Sequence, residues 1–268
     1  MNEQELILCD LLNCTRAQLY SDPRTLHLSG EQESRRLAIN RERQKGVPLQ
    51  YILGRCEFFG LEFKIQPGTF IPRPETEILV EEAISLMQGP RCKGQDLKIL
   101  DIGTGAGNIA ISLAKNLTNA KITAIDIAVI TLDLAEQNAR LHAVQKKIDF
   151  RKVDLFSASG LQFLASSFDM IVSNPPYITT TDLGHLAPEV KNEPRPALDG
   201  GKDGLHFYGQ ILKTAKDLLK PRGILLFEIG LGQVEGISKI IADYPQFEIR
   251  EIINDYNGIE RVICLDRI

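Results

Sequence analysis

Apolar residues recur at helical spacing near the start of this chain and in short, strand-length runs through most of the remainder. Residues 3–12 have the pattern of an amphipathic helix, and Thr15 is placed to cap a second helix that ends before Pro23. Ser29-Gly30-Glu31-Gln32 reads as a capping box opening a third helix, which runs to Lys45 and stops at Gly46. Residues 57–65 alternate around Gly60 and predict a hairpin. Residues 70–74 cross in extended form, because Pro72 and Pro74 bar a helix. A helix over 77–87 then leads through Gly89-Pro90 to apolar runs at 97–102, 121–126, 148–153, 168–173, 224–228, 247–253 and 260–265. Helical stretches such as 109–115 and 205–219 separate them, and Lys220-Pro221-Arg222-Gly223 reads as a connection. Strands alternating with helices predict a doubly wound parallel sheet. The last two runs are joined only through Asp255-Tyr256-Asn257-Gly258, which predicts an antiparallel pair at the sheet edge.

The breakers after three of these runs carry candidate chemistry. Asp101-Ile102-Gly103-Thr104-Gly105-Ala106-Gly107 takes the chain from a strand through a glycine turn into a helix. Alternating glycines let a ligand approach the main chain. Their spacing is not that of the dinucleotide fingerprint, and Asp101 would repel a pyrophosphate. An acid there suits the cationic amino acid end of S-adenosylmethionine. Asp126 ends the next run, about 20 residues after the glycine turn, placed for two ribose hydroxyls. Asp154 follows the third run and can accept from an adenine amino group, with Leu155 or Phe156 covering the ring. Taken singly, each acid has a commoner role in a turn or a helix cap. Finally, Asn174-Pro175-Pro176-Tyr177 follows the run 168–173. Its prolines donate no N–H, so the Asn174 amide oxygen and the Pro175 carbonyl can act as acceptors for one NH2 group. Tyr177 can lie flat against the plane that carries that group. Such a site suits methylation of an amino group.

These segments, together with residues 48–54, 70–77, 193–198 and 255–261, resemble the S-adenosylmethionine-dependent peptide chain release factor N5-glutamine methyltransferases over nearly the whole chain. The resemblance implies an α/β fold: a Rossmann-like seven-stranded sheet with a small N-terminal helical domain joined by a β-hairpin. It implies a helical substrate-recognition domain over 1–50, a hairpin and extended linker over 51–74, and a methyltransferase domain over 75–268. Asn174, Pro175, Pro176 and Tyr177 would be catalytic and hold substrate together with Arg73. Phe70, Asp101, Gly103, Thr104, Gly105, Ala106, Gly107, Asp126, Asp154, Leu155, Phe156 and Asn174 would bind the cofactor. The acceptor would be the glutamine of the Gly-Gly-Gln motif of class 1 release factors, in a cytoplasmic enzyme with no membrane association and no stable nucleic-acid binding. Sister enzymes methylate a ribosomal protein glutamine, and adenine-N6 methyltransferases share the Asn-Pro-Pro-Tyr motif, so both remain competing readings. Some relatives carry Trp after the third-strand acid, whereas this chain has Leu155 and no tryptophan.

Composition narrows the field further. A chain of 268 residues at 43% hydrophobic can bury a substantial core, enough for one full domain and a small one. A net charge of −4 argues against a broad nucleic-acid footprint. The five cysteines are scattered without paired spacing, as expected of reduced thiols rather than disulfides or zinc ligands. No signal peptide is expected from the acidic start, no run reaches membrane-spanning length, and no histidine has metal-ligand spacing. The third helix carries Arg35, Arg36, Arg41, Arg43 and Lys45 among glutamates, either a solvated face or a docking surface for an acidic partner or ribosomal RNA.

Overall fold

The computed structural model describes residues 3–21, 27–89, 92, 94–157 and 167–268. The chain opens with α1 (Glu3–Leu12), α2 (Arg16–Ser21), α3 (Gly30–Gln44) and the short α4 (Leu49–Leu53). Thr15 caps α2 by accepting from the Gln18 backbone, and Ser29 and Gln32 form the expected capping box on α3. Each cap satisfies N–H groups that a helix start otherwise leaves open. Ile7, Leu11, Ile39 and Leu49 close a small core among these helices. The expected division at residue 50 falls inside α4, and Gly54, with a left-handed φ of 72°, ends that helix. Of the five cations named on and just after α3, all but the exposed Arg41 pair with carboxylates among the described residues. Arg35 pairs with Asp10 at 2.9 Å, Arg36 with Glu33 at 2.6 Å and Lys45 with Glu42 at 2.6 Å. Arg43 pairs with Glu3 and, at 3.2 Å, with Glu189.

The predicted hairpin is β1 (Arg55–Phe58) and β2 (Leu61–Lys64), antiparallel about Phe59 and Gly60. Both turn residues have positive φ, 52° and 68°, as a two-residue hairpin turn requires. Phe58 and Phe63 bury their rings edge-on, 6.1 Å apart. After α5 (Thr76–Gln88) come β3 (Leu97–Ile102), α6 (Asn108–Asn116), β4 (Ala120–Asp126), α7 (Val129–Leu141), β5 (Ile148–Lys152) and β6 (Phe168–Ser173). The helices His206–Leu218 and Val234–Ala242 flank β7 (Leu219–Glu228), and β8 (Phe247–Asn254) and β9 (Glu260–Arg267) close the chain.

These last seven strands form one sheet in the order β5-β4-β3-β6-β7-β9-β8. The first five are mutually parallel, while β9 runs antiparallel to both β7 and β8, which makes the expected edge pair. Alternate side chains of β3 feed two cores, because strand residues point to opposite faces. Leu97 and Ile99 pack toward α5 and α6, and Leu100 and Ile102 toward the helix His206–Leu218. Residues 220–223, the expected connection, have no register partner among the described residues and form an unpaired stretch near the start of β7. Its register shifts between Phe168 and Met170, and that irregularity accommodates Pro221, which has no N–H for a ladder. The buried amide of Asn138 on α7 then ties the hairpin to the glycine turn after β3. It accepts from Lys64 N at 2.8 Å and donates to the carbonyls of Lys64 and Ala106 at 3.1 and 3.0 Å.

Candidate active site

β3 and β6 are neighbours whose carboxyl ends coincide, since Ile102 and Ser173 are register partners. Ser173 Oγ also donates to Ile102 O at 2.8 Å. The glycine turn after β3 and the Asn-Pro-Pro-Tyr segment after β6 therefore leave the sheet side by side. Strand order reverses between β3 and β6, and such a switch point is where open α/β sheets form a ligand crevice. A cleft of about 560 Å³ lies there, a size suited to a nucleotide-like molecule.

Its walls include Phe70, Arg73, Gly103, Thr104, Gly105, Asp126, Asp154, Leu155, Phe156, Asn174, Pro175, Pro176 and Tyr177. Asp101, Ala106 and Gly107 are not on the wall. Gly103 and Gly105 have positive φ and open space where a Cβ would stand, whereas a Cβ on Gly107 would lie 3.0 Å from Ile111 and 3.1 Å from Ala135. Gly107 thus serves the packing of α6 on α7. Asp101 is fully buried beneath the turn, where Thr104 Oγ1 donates to its Oδ2 at 2.7 Å. Its Oδ1 finds no partner among the described residues, and burial pushes its acid up to about 7. A cation at this end of the cleft would supply the missing counter-charge.

Asp126 and Asp154 both take the turn role weighed for them, and both also line the cleft. Asp126 accepts Gly105 N through Oδ2 and Ala128 N through Oδ1, each at 2.9 Å. Asp154 Oδ1 accepts Phe156 N at 2.9 Å. Each carboxylate has about four acceptor directions, so both remain able to receive hydroxyl or amino hydrogens from the cleft. Phe156 stacks on His206 with ring centroids 4.7 Å apart, beside Phe207. On the opposite wall the Arg73 guanidinium lies 5.0 Å over the Phe70 ring and pairs with buried Glu193. The other Glu193 oxygen accepts Ile71 N at 3.0 Å, and Tyr51 donates to Thr69 O at 2.5 Å. The segments around 48–54, 70–77 and 193–198 are thereby one structure: a strap laid across the cleft and pinned at both ends.

Among the described residues, neither Asn174 Oδ1 nor the Pro175 carbonyl accepts a hydrogen bond from the chain, and both residues line the cleft. The Tyr177 carbonyl, by contrast, is taken by Gln233 Nε2 at 2.9 Å. Asn174 Nδ2 donates to Thr76 Oγ1 at 2.9 Å, and Thr76 Oγ1 donates to Glu228 Oε2 at 2.6 Å. Tyr177 donates to Glu228 Oε1 at 3.3 Å, and burial raises the Tyr177 hydroxyl well above its ordinary range. Sequence reasoning missed Thr76 and Glu228. Glu228 had a legible signal: like Asp126, it is an acid at the end of an apolar strand.

A family model described as a methyltransferase domain matches residues 93–236, and one described as the PrmC N-terminal domain matches residues 2–54. The release factor glutamine methyltransferase of Fusobacterium nucleatum subsp. nucleatum is 41% identical over 263 residues, covering 97% of this chain and 72% of that protein. The enzyme of the same name from Thermodesulfovibrio yellowstonii is 36% identical over 268 residues, covering 100% and 92%. Among solved structures, the ribosomal protein L11 methylase of Lactobacillus delbrueckii subsp. bulgaricus superposes with a TM-score of 0.52 at 22% identity, covering 76% of this chain and 83% of that one. That last likeness is one of fold.

Proposed function

The chain belongs to the release factor glutamine methyltransferase family, and from that premise we propose that it methylates the side-chain amide nitrogen of the glutamine in the Gly-Gly-Gln motif of class 1 peptide chain release factors. Its cofactor is S-adenosylmethionine, which when bound supplies an electrophilic methyl group on a sulfonium. The observation that carries the reading is the pair of unsatisfied acceptors, Asn174 Oδ1 and the Pro175 carbonyl, beside the glycine turn.

A glutamine amide nitrogen is a weak nucleophile because its lone pair is delocalised into the carbonyl. Two fixed acceptors hold both amide hydrogens and turn the nitrogen face toward the glycine-lined side of the cleft. Fixing reactants in attack geometry can contribute about 7–11 kcal/mol. Tyr177, anchored through Glu228, offers its ring to the planar amide. In this reading Asp126 takes the ribose hydroxyls, Asp154 with Leu155 and Phe156 takes the adenine end, and Asp101, buried beneath the turn, lends its charge from behind Thr104 without touching the cofactor. Phe70 and Arg73 form the strap that keeps water from the reacting corner. Among the described residues no side-chain base hydrogen-bonds to Asn174, so the proton leaves late, to water, after the new N–C bond has made the nitrogen acidic.

The test is to incubate the protein with labelled S-adenosylmethionine and purified release factor, ribosomal protein and DNA, then map the label by mass spectrometry. Label on the Gly-Gly-Gln glutamine is expected. Label confined to a ribosomal protein or to adenine would overturn the substrate assignment.

A further inference from the structure

We propose that Thr76 and Glu228 are positioning residues that set which end of the Asn174 carboxamide faces the cleft, so that the acceptor required by the methyl-transfer reading is presented only while Glu228 is ionised. The inference rests on that reading for its kinetic consequence, though not for its structural one. The argument is a count of protons along a chain of hydrogen bonds. A hydroxyl has one hydrogen to give. Thr76 spends it on Glu228 Oε2 at 2.6 Å, so toward Asn174 it offers only lone pairs. The amide must then turn its NH2 toward Thr76, and Oδ1 is left facing the cleft. The carboxylate is held as an acceptor from both sides, by Thr76 on α5 and by Tyr177 after β6.

Protonation of Glu228 reverses the count. A carboxylic acid can donate to Thr76 Oγ1, which frees the threonine hydrogen for Asn174 Oδ1. The carboxamide then rotates by half a turn and shows its NH2 to the cleft, where it opposes the NH2 of a glutamine instead of accepting from it. Burial pushes the Glu228 acid up to about 7, Thr76 and Tyr177 oppose this through their hydrogen bonds, Glu75 adds to it, and Arg261 on β9 lowers it. From the helix His206–Leu218, the Tyr208 hydroxyl is shared between the Glu228 main-chain carbonyl at 3.1 Å and Gln233 Oε1 at 3.2 Å, and so leaves the Glu228 carboxylate free to switch. The same relay gives Thr76, within the segment 70–77, a role in the site.

Three variants and two readouts test this. With saturating release factor, wild-type kcat should fall about tenfold per pH unit below a midpoint near 7. E228Q, which cannot titrate, should lack that acid limb. T76V should lose about 100-fold in kcat, with KM and cofactor affinity at wild-type values, and T76S should restore the rate because it returns the hydroxyl. Wild-type rates in T76V, no rescue by T76S, or an acid limb that persists in E228Q would each overturn the relay. The second readout needs no substrate: the Asn174 side-chain amide resonances, assigned by their loss in N174D, should shift with pH in the wild type and stay flat in E228Q. A flat wild-type titration refutes the relay whatever the enzyme methylates. A wild type that leaves the Gly-Gly-Gln glutamine unlabelled while its Asn174 amide titrates refutes only the substrate assignment.

Discussion

Asn174 and Asp126 both border the cleft, yet the geometry gives them separable effects. Asn174→Ala removes an acceptor whose bond strengthens as the glutamine nitrogen gains positive charge. Turnover should fall by about 2.7–4 kcal/mol, while S-adenosylmethionine affinity, read by calorimetry, stays near that of the wild type. Lost cofactor binding with unchanged chemistry at saturation would contradict the assignment. Asp126 holds Gly105 N and Ala128 N and keeps spare lone pairs toward the cleft. Asp126→Ala should therefore weaken cofactor binding first, since contacts made equally in ground and transition states do not change kcat. A kcat effect alone in steady-state kinetics would count against it. At this scale the sequence was informative about which side chains end a strand and silent about their depth. Asp101 and Asp126 look alike in the chain, but one lies sealed beneath the turn and the other borders the cleft.

The glycine turn shows how element packing divides one motif into different tasks. Gly107 has φ 84°, and an added Cβ would press on both Ile111 and Ala135 at 3.0 and 3.1 Å. Gly107→Ala should cost about 1–3 kcal/mol of stability, measurable by urea unfolding, because α6 must move off α7. Gly103→Ala meets open space and bears only the left-handed backbone penalty, about 1–2 kcal/mol. Its larger effect belongs in cofactor affinity. A stability loss for Gly103→Ala exceeding that of Gly107→Ala would reverse this division. Spacing and strand-to-helix context made the turn recognisable, but three equivalent letters could not say which glycine faces a ligand. That depends on α7, which arrives later in the chain.

At the scale of the whole molecule, the buried acids trade stability against function. Glu228 keeps its proton up to about pH 7 when folded but releases it near its ordinary value, about 4.3, when unfolded. Between those values the unfolded chain binds fewer protons, so stability is fully present in acid and declines as pH rises toward 7. E228Q has no such loss. At pH 8 its Tm should exceed that of the wild type by about 2–4 °C for each kcal/mol relieved, with the gap closing near pH 5, as calorimetry would read. A gap that widens toward acid would contradict the sign.

Hydrophobic period, paired prolines, caps and glycine turns are local signals, so element types, their order and the edge hairpin could be read from the residues alone. So could the acceptor-rich character of Asn174-Pro175-Pro176-Tyr177, because prolines carry their missing N–H wherever they sit. Register and relative depth are different in kind. Thr76 and Glu228 are 152 residues apart and meet only because α5 packs beside β7, at the corner where β6 delivers Asn174. Whether an amide presents oxygen or nitrogen depends on that meeting, since the direction of a hydrogen bond is settled by the partner's spare proton and not by the residue that receives it.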